Sequence, residues 1–346
     1  MRPAVALLLV LGLSCSPEAG APGPPGGLEA RPVQEGTARD HGRLAPWPEH
    51  EPRDTSLEDA GSCATCHATI AREWGGSSHH RSASNESYVG AVGREPLPFC
   101  RACHAPIGDA SIATALQPTA LRTGIGCTTC HEGLAPDHAA TKVHTPAKTC
   151  ASCHEFRFPA SAALMQKTGQ EHRASAYAST PCAECHMPIA GERPHRDHRF
   201  DVEALVDQAL VADVSRAGPN RVAFRLSPGR IGHAFPTGDL FRRLAVRVES
   251  ADGRERAERF LARHFWSHGG VNREIKDDRV GAQGLPACFE IELPKADASR
   301  ELVASITLDH VEAPRPAGES AALVSARIPV LRVALPSPPE SYRPCP

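Results

Sequence analysis

Aromatic residues are scarce, at 5% of 346 positions. So few rings cannot fill the interior of a chain this long, so the buried apolar surface has to be aliphatic or come from outside the polypeptide. Neither sign of charge is in surplus: 38 Lys plus Arg stand against 40 Asp plus Glu, a formal net charge of −2. That balance excludes a polyanion binder, because neutralising phosphates needs a concentrated positive surplus, and nucleic acid is not expected as a partner. The apolar stretch near the start, Ala4 to Leu13, is broken by Gly12 and is about half as long as a membrane-spanning helix requires. What is plentiful is cysteine and histidine. With 13 Cys and 18 His the chain has more of both than packing uses, which points to metal or cofactor chemistry, and its length leaves room for two domains.

Arg2, the apolar stretch and Ser14-Cys15 read together as an export signal over residues 1–15. Leu11-Gly12-Leu13-Ser14-Cys15 resembles a bacterial lipoprotein cleavage box, in which Cys15 becomes the lipidated first residue of the mature protein. Gly12 stands where such boxes usually carry Leu, and ordinary signal cleavage is the alternative. Either processing takes the protein out of the cytoplasm, to the periplasm or the outer-membrane surface of a bacterium, with the lipid anchor making the membrane a partner. Residues 16–56 hold eight Pro and six Gly with almost no aliphatic run. Such a segment buries too little surface to offset its ordering entropy and is expected to be a disordered tether.

Between residues 63 and 186 the pattern Cys-x-x-Cys-His recurs five times: Cys63, Cys66 and His67; Cys100, Cys103 and His104; Cys127, Cys130 and His131; Cys150, Cys153 and His154; Cys182, Cys185 and His186. Two thiols one helical turn apart can form thioethers with both vinyl groups of one porphyrin, and the adjacent His then offers its imidazole to the iron as proximal ligand. The motifs therefore read as attachment sites for five covalently bound haem c groups. Zinc sites and thioredoxin-like pairs also use Cys-x-x-Cys. Neither explains a His after every pair when His fills only 18 of 346 positions. Three cysteines are left over, Cys15, Cys288 and Cys345. With Cys15 lipidated, the other two remain as a disulfide or as a pair of free thiols.

Such a density of haems lets the porphyrins supply most of the buried surface over residues 57–200, wrapped by short helices and loops in a mostly α and irregular multihaem cytochrome domain. Five irons that are all low-spin carriers need five sixth ligands, and thirteen of the 18 His remain to provide them.

Further motifs surround the haem sites. Glu73-Trp74-Gly75-Gly76-Ser77-Ser78-His79 contains Trp-x-x-Ser-x-His; Gly126-Cys127 through His131 is followed by His138; Cys182 through His186-Met187-Pro188 is followed by His198-Arg199-Phe200. On these residues the stretch Ser62 to Phe200 resembles the multihaem c-type cytochromes related to the tetrahaem electron acceptor of hydroxylamine oxidoreductase and its pentahaem and octahaem relatives. The resemblance implies that downstream histidines serve as distal ligands to neighbouring haems. It makes His79, His138 and His198 the first candidates and His144 the next. Met187 follows its own motif too closely to reach the far face of that haem, and it is expected to pack, as is Met165. Glu171 to Tyr177 forms a weak repeat of Glu73 to His79, with Tyr177 at the ligand position. His172 there is either a substitute ligand or, the preferred reading, a filler beside the haem.

After Asp201 the pattern changes to alternation: Val222, Phe224 and Leu226; Leu244, Val246 and Val248; Phe289, Ile291 and Leu293; Val330, Leu331 and Val333. Period-two runs separated by turns such as Ala251-Asp252-Gly253 predict an all-β sandwich over residues 201–346, immunoglobulin-like in type. Within it, Gly232-His233-Ala234-Phe235-Pro236-Thr237-Gly238 looks like an element that follows the haem domain in several of these cytochromes. His233 is accordingly either a further distal ligand that pins the domains together or a strand cap in a β-turn.

Taken together, the motifs favour an electron carrier that passes single electrons between a redox protein donor and an acceptor, with no catalytic residue assigned. The rival is a haem oxidoreductase in which one open iron acts on a small nitrogen or sulfur oxyanion. Against it stand the absence of Cys-x-x-Cys-Lys, which marks the active haem of pentahaem nitrite reductases, and the presence of only three tyrosines, Tyr88, Tyr177 and Tyr342, as donors for a hydroxylamine-oxidoreductase-type crosslink. A third reading makes the C-terminal domain a docking module.

Overall fold

A computed structural model describes residues 63–94, 98–106, 124–131, 147–157, 163–192, 194–268, 271–294, 301–312, 318 and 320–336. Cys15, His138, His144, Tyr342 and Cys345, with the signal and tether segments, lie outside the described residues. Among the described residues no helix is long and apolar enough to cross a membrane.

The first part is built of short elements. α1 spans Ala68–Gly75, α2 Glu86–Arg94, α3 Pro98–His104, α4 Cys127–Cys130, α5 Ala147–His154, α6 Thr168–Arg173 and α7 Cys182–His186. Two small antiparallel hairpins interrupt them, β1 (Glu155–Arg157) with β2 (Leu164–Lys167) and β3 (Ile189–Ala190) with β4 (His195–Arg196). Among the described residues up to 200, the buried apolar side chains form a single small cluster of Ala83, Tyr88, Val92 and Ala105. Four side chains are too few to stabilise this much chain through aliphatic burial, in keeping with an interior built around something other than side chains.

The second part is different in kind. α8 (Glu203–Ala209) leads into β5 (Leu210–Arg216), β6 (Arg221–Pro228), β7 (Arg242–Ser250), β8 (Arg256–Leu261), β9 (Arg263–His268), β10 (Val271–Asp277), β11 (Ala287–Glu292), β12 (Leu302–Val311) and β13 (Val324–Leu335). Pairing is antiparallel throughout, in a three-stranded sheet β11-β6-β5, a four-stranded sheet β13-β12-β7-β8 and the hairpin β9-β10. Both larger sheets contribute to one core, with Val222, Phe224 and Leu226 from β6 meeting Leu244, Val246 and Val248 from β7 and Phe289 and Ile291 from β11. The Asp201 carboxylate accepts the Ala204 N–H at 3.1 Å and helps start α8, whose Val206 and Ala209 join this core.

The alternating runs fall on β6, β7, β11 and β13, with Leu293 one residue past the end of β11, and the Ala251-Asp252-Gly253 turn joins β7 to β8, with Gly253 at φ 70. Period-two reading passed over β12. It pairs with both β7 and β13, and its Leu302, Ala304, Ile306 and Leu308 face the core. Cys288 on β11 is disulfide-bonded, while the pairing partner considered from the sequence, Cys345, lies outside the described residues.

The other face of β7 and β12 carries charge. Asp309 is fully buried and accepts from Arg247 at 3.1 Å, Arg327 at 3.0 Å and the Thr307 hydroxyl at 2.7 Å, with Arg243 at 3.5 Å. Burial pushes its carboxyl up, but the hydrogen bonds from Thr307 and Arg327 and the nearby guanidinium charges outweigh that and hold it below the ordinary carboxylate value. A depressed folded-state pKa means that the unfolded chain binds the extra proton, so this contribution is complete above about pH 4 and is lost as pH falls further. Asp309→Asn is expected to cost about 3–5 kcal/mol, since it strands buried arginines. Chemical denaturation at pH 7 and at pH 3 checks this, and the gap between the wild type and the variant narrows at the lower pH.

Candidate functional site

Each Cys-x-x-Cys-His motif lies on a single helical turn. The His67 N–H donates to Cys63 O at 2.9 Å and the His131 N–H to Cys127 O at 2.9 Å, the bonds that close such a turn. Cysteines three apart then share one face, with the histidine at the next position. Cys66 is exposed, and the other nine motif cysteines are half-buried and not in disulfides. The turns are not spaced as beads on a string. Cys103 is hydrogen-bonded to Cys153, and Cys150 to Cys182, so the fourth motif touches both the second and the fifth.

The histidines form pairs. His131 faces His198 with ring centroids 6.1 Å apart, His154 faces His79 at 6.4 Å, and His186 faces His233 at 6.2 Å. Two imidazoles bound through nitrogen to opposite sides of one metal, with bonds of about 2 Å and ring centres about 1 Å behind the nitrogens, stand about 6 Å apart. Interplanar angles differ: 36° for His131 and His198, 61° for His154 and His79, and 14° for His186 and His233.

Three ring nitrogens face main-chain carbonyls. The His198 Nδ1 lies 2.7 Å from Arg196 O, the His233 Nδ1 3.2 Å from Ala234 O and the His104 Nδ1 3.2 Å from Ser82 O. A carbonyl can only accept, so each Nδ1 carries the proton and each Nε2 keeps the lone pair a metal requires. Burial lowers the pKa of His79 and of His233 to about 4, helped in each case by the charge of His186, so both rings are neutral at pH 7 and competent as ligands. Among the described residues no three His, Cys, Asp or Glu side chains assemble into a bare metal-ion cluster. The donor set of thiol pairs with opposed imidazoles fits haem c, and the ten motif cysteines with the imidazoles named here are the residues that would hold it.

Helix α1 organises much of this. Trp74 Nε1 donates to Ile125 O at 2.8 Å, beside the third motif, and Glu73 accepts the backbone N–H of His198 at 3.1 Å and faces His195 Nε2 at 3.0 Å. Phe200, at φ 51, packs edge-on against the His79 ring at 4.3 Å. A cleft of about 460 Å³ opens beside α1, and Arg72, Arg81 and Arg199 among its lining suit the carboxylates of a porphyrin. Where the repeat reading placed His172, the side chain packs behind Gly232: a Cβ at that glycine would stand 2.9 Å from His172 Cδ2. His104 lies flat against Tyr88, centroids 4.6 Å apart. Spacing gave no sign of the roles of Glu73 and Phe200, because both act through contacts made by distant chain.

Residues 62–132 match the cytochrome c554 and c-prime family. The match covers the first three Cys-x-x-Cys-His motifs and the Trp74 to His79 element, about a fifth of the chain, and makes that stretch similar to c-type cytochromes, a class that transfers electrons through covalently bound haem. No curated protein matches the chain. Among solved structures, MtrC from Shewanella baltica OS185 is similar at 14% identity over 80% of this chain and 45% of that one, with a TM-score of 0.19. A likeness at that score carries no argument about fold, and the chain spans less than half the length of that protein.

One glycine is indispensable to the geometry. Gly124 sits at φ 53, and a Cβ there would collide with the carbonyl oxygens of His79 and His80, next to the bond in which the Ile125 N–H donates to His79 O at 3.0 Å. Gly124→Ala is expected to destabilise the protein by more than about 1 kcal/mol, read as a drop in Tm, with a perturbed Soret band as His79 is displaced.

Proposed function

We propose that the chain is an exported pentahaem c-type cytochrome that relays single electrons between a redox protein donor and acceptor. On this reading the five Cys pairs hold five haems, and His67, His104, His131, His154 and His186 are the proximal ligands. His198, His79 and His233 complete the third, fourth and fifth sites. His138 and His144 remain the candidates for the first two. The observation that carries the reading is the common separation of 6.1–6.4 Å between three proximal imidazoles and three histidines remote in sequence.

When bound, haem supplies a one-electron ferric/ferrous couple, and two imidazole ligands without the Met of ordinary cytochromes c keep its potential low. The rest is done by the polypeptide. The carbonyls of Arg196 and Ala234 fix the ring tautomers and raise ligand basicity, and Phe200 holds the His79 ring in place. The C-terminal part is proposed to be an immunoglobulin-like sandwich over 201–346. Its four strands beside three around one core support that reading. The segment 16–56 would serve as a tether and Cys15 as a lipid anchor, keeping the haems outside the cytoplasm at the membrane surface. Histidine pairs at the third, fourth and fifth motifs would leave only the first two irons open to a small oxyanion, which confines the enzyme reading to those two sites.

Electron paramagnetic resonance of the oxidised holoprotein tests this. Nearly parallel imidazoles split the iron d-orbitals most and give a rhombic low-spin signal. Steeply crossed ones split them least and move the largest g value to low field. His186 and His233 at 14° and His154 and His79 at 61° are therefore expected to give signals of these two kinds, indifferent to nitrite or hydroxylamine. His233→Ala is expected to convert the rhombic signal to high-spin; unchanged haem spectra would sink the assignment of that ligand.

A further inference from the structure

Glu73 and Glu171 occupy the same place in the weak repeat that aligns Glu73 to His79 with Glu171 to Tyr177. They also make the same contact. Glu73, on α1, accepts the backbone N–H of His198 at 3.1 Å. Glu171, on α6, accepts the backbone N–H of Ala234, the residue after His233, at 3.2 Å, and the Thr237 hydroxyl at 3.4 Å. Both carboxylates thus hold the main chain of a segment that carries a proposed distal histidine, from a helix more than sixty residues away in sequence. We propose that Glu171 and Glu73 are positioning residues that set the orientation of His233 and His198 over their irons; the inference rests on the axial pairs of the proposed function.

The surroundings of Glu171 show why a carboxylate is used. Its other oxygen pairs with Arg279, which is 3% exposed. Arg279 also binds Asp277 at 2.8 Å and donates to Pro236 O at 3.0 Å inside the His233 loop. Lys167 bridges Asp277 at 2.7 Å and Glu274 at 2.9 Å, and Glu274 pairs with Arg263. Three cations meet three anions, so the lattice between the haem-bearing part and the strands is neutral. Backbone bonds between Phe235 and Val280, 2.8 and 3.0 Å, clamp the same loop from the strand side. An amide at position 171 would turn one acceptor into a donor facing the Arg279 guanidinium or the Ala234 N–H, and would leave the lattice with a net positive charge beside the fifth site.

Each substitution should therefore act on one haem. In the full-length holoprotein, with haem content checked by pyridine haemochrome, His233→Ala and His198→Ala first identify the resonance belonging to each histidine. Glu171→Gln is then expected to shift the g values of the His233 resonance alone and to raise the potential of that haem, since a lost negative charge favours the ferrous state. Glu73→Gln is expected to shift the His198 resonance alone. If the histidine variants leave every resonance unchanged, the axial reading fails. If they remove their resonances while the glutamine variants leave those resonances in place, or shift all of them together, the positioning inference is overturned and the axial pairs stand. Should Glu171→Gln fail to attach haem, Glu171→Asp keeps the charge and shortens the reach; a moved His233 resonance supports the inference and an unmoved one overturns it.

Discussion

Three gaps of 6.1–6.4 Å between facing imidazoles are the dimension on which the first half of this chain depends. Each gap is spanned by residues far apart in sequence, such as His79 and His154 or His186 and His233, so three separate pieces of backbone must be held to a tolerance of a few tenths of an ångström. Short helices suit this, because a single turn fixes the thiol and imidazole directions of a motif without committing the chain beyond it. The connecting restraints are polar and specific: Trp74 to Ile125, Glu73 to His198, and the ring nitrogens to the carbonyls of Arg196 and Ala234.

The two halves are held by different forces. Beyond residue 200, nineteen buried apolar residues form one aliphatic and aromatic cluster, and burial on that scale is the main force that fixes the fold there. The described residues before 200 have only four buried apolar side chains of their own. At the junction, a charge-balanced lattice of Lys167, Glu171, Arg263, Glu274, Asp277 and Arg279 takes over. Removing ions from water costs free energy that a greasy contact would not. In return the lattice is directional, and here it reaches the backbone on both sides of the His233 loop.

Legibility from sequence followed the range of the interactions. Thiol pairs and their histidines are local, so all five motifs could be read directly, and the period-two runs of β6, β7 and β11 announced a sheet. β12 was passed over although its Leu302, Ala304, Ile306 and Leu308 alternate, because small Ala304 weakens the pattern and nothing local shows that the strand lies between two others. His79, His198 and His233 were singled out as candidates, but which motif imidazole each would face was beyond reach, since each such pair is a contact between elements up to 75 residues apart.

The chemistry that the sequence by itself determined is covalent and short-range: which cysteines share a turn, which histidine follows them, where alternation begins. What only the tertiary structure decided is partnership. Imidazoles from distant elements come within 6.1–6.4 Å of each other, Glu171 reaches the loop after His233, and Asp309 gathers arginines from neighbouring strands. Each depends on how far the chain folds back, and that is set by packing and by the balance of buried charge rather than by spacing along the backbone.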